Sequence, residues 1–222
     1  MSISLDRIKP ATATRLDKLS FEQFLDFAFD RSLADEFWYH EEENEFSFGE
    51  TSVTTRHLIK LFRQPEILLE RYSAEQVEQG FWFVTYLLCF IKFDGLFWDK
   101  RLPFSLREDL IFSAFDLFSR FFAHHPSESI CFMWWDSLAY GYYMENGQPE
   151  DEDGAQVQQA MFETLKKILT IDSEECQKSA LHGLGHLKHP ATEKTIQDFL
   201  RKNRVGKELE EFAHKCIEGT MG

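Results

Sequence analysis

The stretch "SALHGLGHLKHPATEKTIQDFL", Ser179 to Leu200, decides the fold. Ala180, Leu181, Leu184 and Leu187 recur at helical spacing, Gly185 lies near the end of that run, and Pro190 stands where a first helical residue tolerates a missing N–H. Ile196, Phe199 and Leu200 form a second apolar stripe. The expectation is two helices joined by a short turn, with their stripes facing one another. Three histidines share the stretch: His182 and His186, four apart on one helix face, and His189 in the turn.

Working outward, the same signals recur. Ser73 with Gln76, Ser105 with Glu108 and Asp172 with Glu175 fit, strictly or loosely, the arrangement in which a cap side chain and the third helical residue satisfy each other's backbone donors. They place helices near 74–93, 106–122 and 173–187, with others near 20–33, 53–63, 65–72, 128–144, 155–170, 191–203 and 207–218. Leu106, Leu110, Ile111, Ala114, Leu117, Phe118 and Phe121 repeat every three or four residues, and Phe112, Phe115 and Phe122 widen that face. "FWFVTYLLCFI", Phe81 to Ile91, is apolar on every side and calls for neighbours all round.

Two places interrupt the helices. Asp35 to Glu50 holds seven carboxylates and no Lys or Arg, and Glu45 to Phe48 alternates as a strand does, so a small hairpin or an acidic loop is expected near 35–50. Glu145 to Gly154 is polar and acidic. It is the candidate subdomain boundary (145–154) within a single all-helical domain of residues 1–222, between an aromatic-rich part, 1–144, and a part spanning 155–222.

"ALHGLGHLKHPAT" resembles the centre of a HEAT repeat of the bacterial phycobilisome-lyase-like kind, armadillo-like in its helical stacking, whose pattern runs Ala-Leu-x-Ala-Leu-Gly-x-Leu-x-Asp-Pro. Gly183 stands where that pattern has Ala, and His189 where it has the Asp that caps the next helix, a change worth up to about 1 kcal/mol. A shift of about 33 residues lays Cys176, Ala180, Gly183 and Leu184 on Leu209, Ala213, Cys216 and Ile217. "PSESICFMWWDSLAYG" faintly echoes "DSEECQKSALHG". The resemblance covers about residues 155–222. It implies an all-α fold of antiparallel helix pairs stacked as a short HEAT-like α-solenoid, in a family used mostly for protein binding.

Composition narrows the partner. A net charge of −14 on 222 residues argues against sequence-independent binding to nucleic acid, which draws on cations that displace counterions from phosphates, and favours a basic protein. The longest apolar run falls short of the roughly 20 residues a membrane span needs. Cys89, Cys131, Cys176 and Cys216 lie far apart with no C-x-x-C, which reads as buried reduced thiols in a cytoplasmic protein.

Neither a nucleophile elbow, a phosphate-binding loop nor H-E-x-x-H occurs, so no catalytic residue and no cofactor is assigned. His182, His186 and His189 could form a zinc site only by converging with a fourth ligand such as Glu174 or Glu193. In the repeat pattern His182 and His186 fall at outward-facing variable positions. Iron-binding HEAT hydroxylases carry repeated His-Glu pairs, whereas this chain has one, His40–Glu41.

The binding candidates are aromatic and acidic. Trp38 and Tyr39 sit beside the carboxylates Glu41, Glu42 and Glu43, and Trp134, Trp135, Tyr140, Tyr142 and Tyr143 crowd one predicted helix too widely for all to be core, Trp134, Trp135 and Tyr142 being the binding candidates among them. The expectation is a non-enzymatic protein-binding scaffold with an acidic and aromatic face, in its narrow form an immunity- or antitoxin-type inhibitor of a basic protein. The alternatives are a metal-dependent enzyme or a small-ligand-binding helical protein built on the His182/His186/His189 region.

Overall fold

In the computed structural model, which describes residues 13–34, 38–40, 45–89, 95–125, 128–135, 149 and 151–220, the chain is all-α apart from two short strands. In order, the elements are β1 (Thr14–Arg15), α1 (Phe21–Phe29), β2 (Phe46–Ser47), α2 (Thr51–Arg63), α3 (Ala74–Cys89), α4 (Phe104–Leu117) and α5 (Glu128–Met133). They continue with α6 (Glu152–Ile168), α7 (Glu174–Leu187), α8 (Thr192–Lys202) and α9 (Lys207–Glu218).

The helix starts follow local chemistry, with two corrections. Ser73 and Gln76 make both bonds of the reciprocal cap before α3: Ser73 N–H donates to Gln76 Oε1 at 3.0 Å and Gln76 N–H to Ser73 Oγ at 3.2 Å. Ser20 and Gln23 do the same for α1, a signal the sequence reading passed over. Ser105 is no cap, because α4 begins at Phe104 behind Pro103. Asp172 is displaced by its neighbour Ser173, whose hydroxyl accepts from Cys176 N–H at 3.3 Å. The segment expected as a helix near 65–72 is a 3₁₀ turn, Pro65–Leu68.

The expected hairpin is absent among the described residues. Phe46–Ser47 instead pairs in parallel with Thr14–Arg15, so the alternation around Phe46 reaches back to a strand more than thirty residues earlier. Residues 35–37 and 41–44 of that acidic stretch lie outside the described residues, as do 136–148.

Alternate helices pack on one another. α1 packs on α3, α3 on α5, α5 on α7 and α7 on α9, while α2 packs on α4 and α4 on α6; α6 with α7 joins the two series, and α8 packs on its chain neighbours α7 and α9. One continuous hydrophobic cluster runs from Leu16 to Cys216. Each fully buried Leu or Phe in it contributes about 1.5–3 kcal/mol relative to exposure.

The material of the packing changes along the chain. Trp134 touches the rings of Phe62, Phe81, Phe118 and Phe122, at centroid distances of 5.5, 6.0, 6.2 and 5.8 Å. α7 and α9 instead bury mostly small side chains: Cys176, Ala180 and Gly183 on α7 and, 33 residues on, Ala213 and Cys216 beside Leu209, while of the fourth pair Leu184 is buried and Ile217 only half-buried. Gly183 leaves no room for a larger residue, since a methyl group there would lie 2.7 Å from Trp135 Cβ and 2.8 Å from Leu165 Cδ2.

α4 ends in a π-helical turn, Phe118–Phe122, in which Ala123 N–H donates to the Phe118 carbonyl at 2.9 Å. At the 145–154 connection, Asp151 caps α6 through Gly154 N–H at 2.8 Å and takes Lys100 Nζ at 2.6 Å. Beside it Asp153 pairs with the buried guanidinium of Arg107 on α4.

Candidate functional site

The aromatic residues singled out from sequence are inside. Trp38, Tyr39, Trp134 and Trp135 are 2%, 8%, 0% and 2% exposed and belong to the core cluster, so as folded they present no face to a partner. The helical-periodicity argument misplaced the tryptophan pair because α5 stops at Met133. Trp134 and Trp135 sit in the turn that follows, where directions are freed from the helical period. Trp38 packs against Phe27 and Phe83, and Arg31 lies 3.9 Å above its ring. Glu41, Glu42, Glu43 and Tyr142 lie outside the described residues.

The three histidines do not converge. His182, read as outward-facing, is buried because α5 and α9 flank it. Its ring stacks on Phe132 at 4.3 Å, Nδ1–H is directed to the Phe132 carbonyl at 3.3 Å, and Nε2 lies 2.9 Å from His186 Nε2. His189 is turned the other way, toward α6. There it stacks on Phe162 at 4.0 Å, donates from Nε2 to Gln159 Oε1 at 3.1 Å and accepts at Nδ1 from Ala191 N–H at 3.2 Å. That last bond requires a neutral imidazole. Burial, reinforced by Lys166 and opposed by Glu163, holds His189 below its ordinary value. Among the described residues no three His, Cys, Asp or Glu side chains are grouped to hold a metal.

The acidic character takes definite form on α1. The first 50 residues carry twelve Asp and Glu against five Lys and Arg, half of the net −14. Phe21, Phe24, Leu25, Ala28 and Phe29 face the core, which leaves Glu22, Asp26 and Asp30, spaced by four, exposed along one line. Asp26 accepts from Arg71 Nη2 and from the Tyr72 hydroxyl, each at 2.7 Å, and Asp30 from Gln76 Nε2 at 3.3 Å. Burial first, and the bond to Asp26 second, push the Tyr72 phenol up, so it remains a donor. These bonds tie the acidic line to the segment leading into α3.

That segment borders an apolar slot of about 290 Å³ lined by Leu69, Val77, Phe81, Phe121, Glu78 and His125. Leu69 is 44% exposed, one of the two large apolar side chains that the described surface leaves open. A larger groove of about 600 Å³ between α6, α7 and α8 has Leu169 and Phe199 beside a rim of Lys166, Lys202, Asp172 and Asp198. Its charges balance and select neither sign. Acidic line and apolar slot together offer what a basic partner needs: charge to steer approach and a pocket for one apolar anchor. No helix among the described residues is long and apolar enough to cross a membrane.

The chain matches no family model, no curated protein and no solved structure.

Proposed function

We propose that this chain is a non-enzymatic protein-binding scaffold, a short HEAT-like stack of helix pairs whose α1–α3 edge receives a basic protein. The stack reading is supported by the two series of contacts between alternate helices, the pattern that repeated pairs produce, and by the matched burial 33 residues apart on α7 and α9. The observation that carries the binding reading is the acidic line Glu22, Asp26 and Asp30, hydrogen-bonded to the segment that borders the Leu69 slot. In its narrow form the partner is a basic toxic enzyme, a nuclease being one case, held inactive in the cytoplasm by an immunity- or antitoxin-type contact.

The test is affinity purification from the source cells with the native chain and with Glu22→Lys, Asp26→Lys and Asp30→Lys combined. A basic protein recovered in stoichiometric amount by the native chain, released by salt and absent with the charge-reversed chain, supports the reading. Equal recovery by both chains refutes the assigned face, and no recovery by either refutes the binding function. Co-expression decides the narrow form: the recovered partner should be toxic alone and harmless together with this chain.

A further inference from the structure

On α7 two imidazoles meet nitrogen to nitrogen. His182 and His186 are four residues apart, so they rise from one face of the helix a turn from each other. Their Nε2 atoms stand 2.9 Å apart. The ring centres are only 4.5 Å apart and the planes cross at 65°. A head-on contact between the two nitrogens would hold the centres farther apart, so the rings are inclined to the line that joins their Nε2 atoms.

The surroundings of His182 fix which of its nitrogens carries the lone pair. Nδ1 faces the Phe132 carbonyl at 3.3 Å, which can only accept, so the proton sits on Nδ1 and Nε2 is the lone-pair nitrogen. A backbone carbonyl behind one nitrogen is the support that orients a histidine whose other nitrogen binds a metal. Phe132, stacked on the ring at 4.3 Å with the planes 1° from parallel, holds that orientation, and α5 and α9 enclose the side chain. His186 is half-buried and opens the pair to solvent. The spacing then selects the ion. Two nitrogens bound at about 2.0–2.1 Å stand about 2.9 Å apart when they meet the ion at a right angle, and about 3.3 Å apart at the tetrahedral angle of zinc. The right angle belongs to the square-planar and tetragonal sites of copper and nickel.

We propose that His182 and His186 form a binding site for a divalent transition-metal ion of the copper or nickel type, chelated by the two Nε2 atoms in adjacent positions. As folded, His186 Nε2–H donates to His182 Nε2. The ion takes the place of that proton, which passes to Nδ1 of His186, so both rings bind as neutral imidazoles. Water fills the remaining positions, since among the described residues no third His, Cys, Asp or Glu side chain is grouped with the pair. His189, turned to Gln159 on α6, takes no part. Both ligands belong to one turn of α7, so the ion clips that turn where α5 and α9 pack on it, apart from the α1–α3 edge assigned to the protein partner.

The test uses the full chain without a histidine tag, dialysed against a chelator and titrated calorimetrically with nickel chloride near neutral pH. One ion should bind per chain, and the melting temperature should rise with nickel concentration. His186→Ala should weaken binding by at least about a hundredfold, because a second imidazole no longer closes the chelate, and should abolish the rise. His189→Ala should bind nickel as the native chain does. In the ¹⁵N-labelled native chain, trace copper(II) should broaden the imidazole signals of His182 and His186 before those of the other six of its eight histidines. Absence of stoichiometric binding, binding that survives His186→Ala, or broadening that begins at any other histidine would each overturn the proposal. The copper measurement needs only the native chain, so a poorly folding variant does not obscure the result.

Discussion

The first three odd-numbered helices and the last two are joined in different ways. Around α1, α3 and α5 the contact is made by rings: Phe29 on Phe81, and Phe81 on Phe121, Phe122 and Trp134. α7 and α9, by contrast, bury mostly small residues, Ala180, Gly183, Ala213 and Cys216 among them. Rings fill space that helices leave, and their loss opens a cavity; small residues let backbones approach, and their enlargement creates a clash. A high aromatic content here measures how the core is filled and says little about what the surface binds.

Three substitutions bear on that contrast. Trp134→Ala should cost most, about 3–5 kcal/mol, because it removes the ring that four others pack against. A loss of unfolding free energy, read from urea titration, of less than a third of that amount would mean the aromatic region relaxes and is not filled as described. Gly183→Ala probes α7 where it closes on Trp135 and Leu165. A methyl ordinarily favours a helix by about 1 kcal/mol, yet overpacking against Trp135 and Leu165 costs about 1–3 kcal/mol, so a net loss is expected. A gain in stability would show that Trp135 can move aside.

His189→Ala should have the smallest effect, about 1 kcal/mol, the net worth of a typical hydrogen bond. It also carries a pH signature. The folded chain keeps this imidazole below its ordinary value near 6.5, so on acidification the unfolded chain takes up the proton first. The contribution is complete above about pH 6.5 and is lost as the pH falls below it. Thermal melts across pH 5 to 8 should therefore show a slope in the native chain that His189→Ala reduces. An unchanged slope would remove His189 from the account.

The all-α class was legible because helical spacing repeats from Leu106 to Leu200, and the cap before α3 was readable letter by letter in Ser73 and Gln76. Burial of the aromatics was not, since Phe and Trp satisfy a core and an interface equally well and only tertiary neighbours decide between them. His182 was misread for the same reason: its position is outward on an isolated helix, but α5 and α9 enclose it. The parallel pairing of Thr14–Arg15 with Phe46–Ser47 left no local trace.

Arg107 has one further consequence. Its guanidinium is sealed inside, donates to Asp153 and to the Phe97 carbonyl, and leaves Nε without an acceptor. Removing Asp153 alone would strand a buried cation at a cost of about 3–5 kcal/mol, whereas exchanging both for apolar residues is often neutral. Neither position can drift by itself, so in any chain descended from the same ancestor residues 107 and 153 should covary, both charged or both apolar.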